Sequence, residues 1–503
     1  MIKLHPSFEE FEKSAALWNL IPIYAEILAD LETPVTAFAK IASDSSHAFL
    51  FESVVGGEKW GRYCFLGSGP SVIFRAKDGV CRISRNGSER PPIRSENPLH
   101  ELRKLIKEYR PAPAPGLPRF FGGAVGFLGY DSVRYFEQLP GSPQDDLQMD
   151  DCCFLVTDTL LIFDNTAQKI QVVANAHVDG GDLREIYENA RKKILSIVEK
   201  LKRPSPLAPL NSGVSGKAPL EFASNFRKED FEKAVLKAKD YIRDGDIIQV
   251  VLAQRLRVSI QADPLDIYRC LRSINPSPYM YFLRFNDIEI VGSSPEVMVR
   301  MEEERLELRP IAGTRKRGAD EPEDKALAED LLSDEKELAE HIMLVDLGRN
   351  DLGRVSETGS VEVNELKTIE RYSHVMHIVS NVRGKIRRGK DAFDVIAATF
   401  PAGTVSGAPK VRAMEIIDEL ESDRRGLYAG AVGYFSFSGN MDTAIAIRTL
   451  VIKDKKTAYL GVGAGIVSDS VPEKEFEETM NKGRALLKAM EMAEGQVHNP
   501  DEP

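Results

Sequence analysis

Two pairs of glutamates with the same spacing hold the densest potential for chemistry in this chain. Glu337 and Glu340 fall with His341 in a helical stretch beginning near Glu321, and Glu475 and Glu478 fall in a second one opened by Ser470-Val471-Pro472 and followed a turn later by Lys482. Residues three apart on a helix share a face. Two helices that each present two carboxylates could hold Mg²⁺, which takes one or two direct carboxylates and otherwise keeps waters and substrate oxygens. Solvated acidic faces have the same spacing, so the residues alone leave both readings open. Arg448 ends the strand-like TAIAIRT, where alternation sets it with Ala444 and Ala446 and opposite Ile445 and Ile447. That is either a guanidinium over a small-residue pocket, suited to a bidentate carboxylate, or an arginine on the wet side of an amphipathic strand. The run Gly461-Val462-Gly463-Ala464-Gly465 lets an anion approach backbone amides, or simply makes a tight turn.

These groups must be positioned by a large chain. Its 503 residues, 43% hydrophobic and 28% charged, are enough for two or more globular domains. A net charge of −11 argues against nucleic acid or an anionic membrane as partner, and an anionic small substrate would need local cations and amides to overcome the long-range field. Five cysteines, with no CxxC pair and no histidine at zinc spacing, predict a reduced, cytoplasmic chain. There is no signal-peptide pattern, and no apolar run approaches the roughly 20 residues of a membrane span. The Pro-, Ser- and Gly-rich segment 204–219 reads as a linker. It predicts a regulatory or structural domain over 1–202, a linker over 203–220 and a catalytic domain over 221–495. Strand-like runs (HAFLFES, LLIFD, IIQVVLAQRLRVSI, YFLRF, EIVGSS, AVGYFSFSG, TAYLGVGAG) outnumber helical stretches near 323–345, 408–420 and 473–493. Few βαβ repeats among so many strands predict an α+β fold with sheets packed on each other. GGAVGF (122–127) and AGAVGY (429–434) are alike, but two short matches are more often chance than duplication. GTVSGAPK lacks phosphate-loop spacing and GVGAG lacks the third glycine of a dinucleotide fingerprint, so neither ATP nor NAD is assigned.

The motifs INPSPYMYF, GSSPE, PIAGTRKRG, DEKELAEHIMLVDLGRNDLGRV, YSHVMHIVSNV, FPAGTVSGAPKVRAM, GAVGYF, IAIRT, GAGIVSDSVP and ETMNKGRALL occur in this order. Together they resemble the chorismate-utilising enzyme family over nearly the whole chain, most densely from 222 to 494. The resemblance implies a large α/β sandwich of mostly antiparallel sheets with helices outside. It also implies Mg²⁺ between Glu340 and Glu478, with Glu337 and Glu475 on metal-bound waters. The substrate carboxylates would meet Arg448, Tyr428, Lys482 and the amides of Gly463, Ala464 and Gly465, and Gly313, Thr314 and Thr404 would contact the ring and its substituents. Glu296 would protonate the leaving 4-hydroxyl. His377 would serve the elimination that follows, unless it is a satisfied histidine on a helix.

Two positions discriminate within the family for chemical reasons. Aminodeoxychorismate-forming members have a lysine nucleophile where this chain has Ala312, and isochorismate- and salicylate-forming members have a water-activating lysine where this chain has Gln249. Ammonia needs less activation than water, so both residues imply the anthranilate-forming branch and the first step of tryptophan biosynthesis, with the aminodeoxychorismate-forming large subunit as the alternative. Cys152, Cys153 and Cys270 lack the Gly-rich setting of an amidotransferase nucleophile, so a separate glutaminase subunit is expected to supply ammonia. The family's tryptophan feedback site implies Ser53 for the ammonium and Pro278, Tyr279 and Met280 for the indole wall. The residues from Val54 to Arg62 do not align with it.

Overall fold

The computed structural model describes residues 2–53, 61–211, 219–372 and 375–497. Part of the segment read as a linker (212–218), most of the unaligned segment after Ser53 (54–60), and Ser373 and His374 of YSHVMH lie outside the described residues.

Among the described residues two 13-stranded sheets carry the fold, and every strand pairing within them is antiparallel. The α+β sandwich expected from the strand-rich pattern is therefore the one formed. Both sheets run across the 203–220 segment. In the first, His47–Glu52 pairs with Tyr279–Phe285, placing Met280 opposite Glu52 and Phe282 opposite Leu50. In the second, Gly123–Leu128 pairs with Ala431–Ser436, placing Gly126 opposite Gly433. The two similar runs GGAVGF and AGAVGY are thus neighbouring strands at a seam.

Hydrophobic alternation explains how the layers stack. The facing sides of the sheets interdigitate aromatics, Phe127 against Phe285 at 5.4 Å and Phe65 against Tyr434 at 6.0 Å. The outer face of the first sheet is covered by helices, including Pro34–Ala42, Leu183–Leu201, Pro264–Ile274 and Pro472–Glu494, whose apolar stripes join one cluster with that face.

One helix was read as too long. The stretch from Glu321 breaks at Asp334, which ends Glu321–Ser333 and caps Glu335–Gly353 by accepting from the amides of Lys336 and Glu337. An aspartate at an N-cap competes for backbone donors and starts a new helix axis. Glu337 and Glu340 therefore stand in the first two turns of a fresh helix.

Candidate active site

Antiparallel pairing and two helix N-termini build the site. The histidine of HIM in Glu335–Gly353, His341, is fully buried, and its Nε2 lies 2.6 Å from the Ser380 hydroxyl. Burial depresses its pKa to about 4, so it stays neutral and pins the helix to the strand Val375–Lys385. Thr479, also fully buried, accepts from Gln254 Nε2 at 2.6 Å and pins Pro472–Glu494 to Gln249–Ser259. With both helices fixed by inward residues, Glu337, Glu340, Glu475 and Glu478 are carried toward one region. Lys336, which the sequence reading passed over, marks where they meet. It pairs with Asp469 at 2.8 Å, and Glu475 and Glu340 both favour its charge.

Within each acidic pair the carboxylates crowd each other. Burial raises the pKa of Glu337, with Glu340 and Asp334 adding repulsion, and burial followed by Glu478 raises that of Glu475. Glu475 Oε2 is buried without a hydrogen-bond partner. Gln249 donates to Glu340 Oε1 at 3.3 Å, while its own Oε1 is buried and unpartnered. No cluster of three or more metal-ligating His, Cys, Asp or Glu occurs among the described residues. The donor set consists of two carboxylate pairs, of whose oxygens Glu475 Oε2 is buried without a partner, which fits a hard cation that retains water rather than an all-protein cage.

The open edge of the strand Thr457–Ile466 lies beside them. It pairs with Thr449–Lys453 only as far as Leu460, and with Gln249–Ser259 along its whole length. The amides of Val251 and Ala253 bond away from it, to Ser406 O and Glu421 Oε1. Their partners Gly465 and Gly463 therefore occupy non-hydrogen-bonded positions, with their own N–H groups on the outer edge. Ala464 pairs with Leu252 at a hydrogen-bonded position and its side chain is fully buried, so its amide serves the ladder. The expectation of three anion-facing amides reduces to two. The glycines do more than expose backbone. A Cβ at Gly461 or Gly463 would meet the Tyr428 ring at 2.4 Å or its hydroxyl at 2.5 Å, and one at Gly465 would meet Gln249 Nε2 at 2.4 Å. The strand is bare so that Tyr428 and Gln249 can lie across it. Gly461→Ala is expected to displace Tyr428 and raise the KM for substrate about tenfold, at a stability cost of about 1–3 kcal/mol; steady-state kinetics and a melting curve check both.

Arg448 departs from the strand reading. Met441–Ile445 ends three residues earlier, and Arg448 takes a left-handed φ of 50° before Thr449–Lys453 begins, so alternation does not set its direction. Its guanidinium makes no ion pair or hydrogen bond among the described residues. Burial opposes its charge, with Tyr428 alone offsetting this, and an anionic ligand would relieve that cost. Lys482 bonds Gly463 O at 3.0 Å and Glu478 at 2.8 Å, joining the open edge to the acidic pairs.

His377 lies on the strand Val375–Lys385, not on a helix, directly opposite Thr314. Its Nδ1 is 3.0 Å from both Gly313 O and Thr314 Oγ1. A carbonyl only accepts, so Nδ1 carries the proton and Nε2 is the free base. Burial lowers the histidine pKa and Arg448 lowers it further. Gly313, at φ 69°, would bring a Cβ to 3.2 Å from Glu337 Oε2, which ties this corner to the first acidic pair. Glu296 lines a pocket of about 380 Å³ with Thr404, Gly403, Leu344 and Leu347. Burial pushes its pKa up to about 8. The Thr404 hydroxyl and Lys482 work the other way, the hydroxyl without a fully formed hydrogen bond.

A second cavity, of about 540 Å³, unites Ser53, Pro278, Tyr279 and Met280. Sequence reasoning missed its other walls: Phe65, Tyr434, and Asp442, which receives Tyr279 OH at 2.9 Å and Arg119 at 2.9 Å. Asp442 is more than 160 residues from Tyr279 along the chain, and nothing local signals it. The Ser53 hydroxyl is buried and unpartnered.

The family model of chorismate binding enzymes matches residues 47–488. Fold and site thus define this class, and the chain belongs to the chorismate binding enzymes. Within it, the chain is 51% identical over 493 residues to anthranilate synthase component 1 of Acetivibrio thermocellus (97% of this chain, 99% of the relative). It is 52% identical over 495 residues to the component 1 of Aquifex aeolicus (98% and 99%). The solved anthranilate synthase component I from Streptococcus pneumoniae superposes with a TM-score of 0.77 at 39% identity, over 92% of this chain and 99% of that one. The menaquinone-specific isochorismate synthase of Escherichia coli shares the fold, at TM-score 0.69 and 18% identity over 96% and 98%.

Proposed function

We propose that this chain aminates chorismate with ammonia and then eliminates pyruvate to form anthranilate, the first step of tryptophan biosynthesis. One observation carries the reading: glutamates from two helix starts both act on Lys336, while Arg448, partly buried and without an ion pair among the described residues, neighbours Tyr428, which lies across the strand that holds the outward amides of Gly463 and Gly465. Glu340 and Glu478 would hold Mg²⁺, with Glu337 and Glu475 on its waters; the orphaned Glu475 Oε2 suits that task. When bound, Mg²⁺ neutralises and orients the ring carboxylate. Arg448, Tyr428, Lys482 and the two amides would grip the carboxylates. Gln249, with its unpartnered Oε1, would face the incoming ammonia. As the carbon–nitrogen bond forms at ring carbon 2, Glu296, protonated near neutral pH, gives its proton to the leaving 4-hydroxyl, which departs as water. His377 Nε2 then takes the proton from carbon 2, the electron pair of that bond completes the aromatic ring as the bond from carbon 3 to the enolpyruvyl oxygen breaks, and the released enolate takes up a proton at its methylene carbon to leave as pyruvate.

Ala312 has no amine to form a covalent intermediate, which supports free ammonia as nucleophile. The name of the relatives, component 1, supports a second component, and we infer that it is a glutaminase. The cavity around Ser53 and Met280 would take tryptophan as feedback inhibitor. The five free, buried cysteines suit the reducing cytoplasm, and no described helix is long and apolar enough to cross a membrane.

The test supplies the isolated chain with chorismate, Mg²⁺ and an ammonium salt at alkaline pH and follows anthranilate fluorescence. Product is expected with ammonium and none with glutamine. No anthranilate from ammonium overturns the reaction, and turnover of glutamine by the chain alone overturns the separate glutaminase.

A further inference from the structure

We propose that Ser293 is a positioning residue that couples occupancy of the cavity around Ser53 and Met280 to the placement of Arg448. The inference rests on the reading of that cavity as the tryptophan site and of Arg448 as the grip on the substrate carboxylate.

Ser293 is fully buried in the last turn of ladder between Tyr279–Phe285 and Ile288–Ser294, directly opposite Met280. Met280 and its neighbours Pro278 and Tyr279 form one wall of the cavity. The Ser293 hydroxyl ties the loop leading into that wall. It donates to Asn275 O, accepts from Asn275 Nδ2 at 3.2 Å, and lies 2.8 Å from the hydroxyl of Ser277, itself 5% exposed. The backbone of the same residue faces the other way, and its N–H donates to Arg448 O at 3.1 Å.

That last bond falls on a residue held in a sparsely populated backbone conformation. Arg448 holds a left-handed φ of 50°, which a non-glycine residue keeps only while its surroundings impose it. A short shift of Ser293 removes the constraint on its carbonyl and lets the backbone relax, which redirects the guanidinium. The neighbouring Ser294 extends the connection, because its hydroxyl bonds Ile445 O at 2.7 Å while Ile445 N–H bonds Glu296 O at 3.0 Å. One strand end thus touches the cavity wall on one side and two groups of the reaction site on the other. A ligand that pushes Pro278 to Met280 outward moves the serine against Arg448. Such coupling is a difference in affinity between two arrangements, so it is reciprocal: substrate must weaken tryptophan to the same degree that tryptophan weakens substrate.

The experiment measures that coupling in the full chain with ammonium as nitrogen source. Tryptophan Kd is taken from calorimetry, with and without a saturating unreactive substrate analogue, and chorismate KM is taken with and without saturating tryptophan. In the unaltered protein both ratios are expected to be about tenfold or more. In Ser293→Ala, tryptophan Kd is expected to stay within about threefold while both ratios fall below about twofold; Ser277→Ala, which removes one partner only, should give an intermediate ratio. A merely structural role for Ser293 would weaken binding or lower the melting temperature and leave the ratios intact. Retention of full coupling in Ser293→Ala overturns the relay alone, and if that variant does not fold, full coupling in Ser277→Ala does so. An unaltered protein that forms anthranilate but neither binds nor responds to tryptophan overturns both the relay and the reading of the cavity.

Discussion

Glu478→Gln is expected to lower kcat/KM for anthranilate formation by about a thousandfold or more while the chain stays folded. The amide keeps the shape of the carboxylate but not the charge, and Mg²⁺ draws its affinity from anionic oxygens. The side chain is 48% exposed and its only ion pair among the described residues is with Lys482, so little of the fold depends on it. Glu340→Gln should lose as much. Glu475→Gln, through water, should lose only about 10- to 100-fold, the usual scale for a partner outside direct coordination. Magnesium titration, steady-state kinetics and a melting curve on the three variants give the ranking. If Glu478→Gln keeps more than a tenth of the activity, the two glutamates are not the direct ligands.

Glu296→Gln is expected to lower kcat by about 10² to 10⁴, the range of general acid catalysis, with a smaller effect on KM. With the carboxyl pKa near 8, wild-type kcat should fall as pH rises through that value and the acid loses its proton, whereas residual activity of the variant should lack this limb. The substitution moves stability the opposite way from activity. In the unfolded chain this carboxyl titrates near 4.5, so between that pH and about 8 the folded form binds the extra proton. Its contribution to stability is present below 4.5 and is lost as pH rises through that window, amounting to about 3 kcal/mol by pH 7. A glutamine carries no such penalty, so the inactive variant should melt above wild type at pH 7 and match it near pH 4. A variant that melts lower at both pH values would show that the glutamate is ionised in the native protein.

Much of the chemistry was legible in short spacings because helix geometry is local. Glu337 with Glu340 and Glu475 with Glu478 fall on common faces whatever surrounds them, and strand alternation in runs such as YFLRF and AVGYFSFSG reports a buried face wherever the strand pairs. The errors arose where a single residue changed backbone direction. Asp334 ended one helix and capped the next inside a stretch whose pattern ran on unbroken. Arg448 sits in an apolar, alternating run, but its left-handed φ removes it from the strand and aims it by other means. Ala464 was grouped with its glycine neighbours until the register gave its amide to Leu252.

The residue types at each position and the motifs in their order already contained the membership in the chorismate binding enzymes and the α+β character of the fold. They could not contain the partners that register and packing supply. Thr314 meets His377 across 63 positions, Tyr279 meets Asp442 across 163, and Gln249 meets Glu340 across 91. The first depends on strand register, where a slip of one residue would turn the side chains to the opposite face; the second depends on how the two sheets stack, and the third on where the helix Glu335–Gly353 lies against a strand. Long-range pairing is a property of the packed sheets, and so are the proton state of Glu296, the free nitrogen of His377 and the two outward amides of the glycine strand.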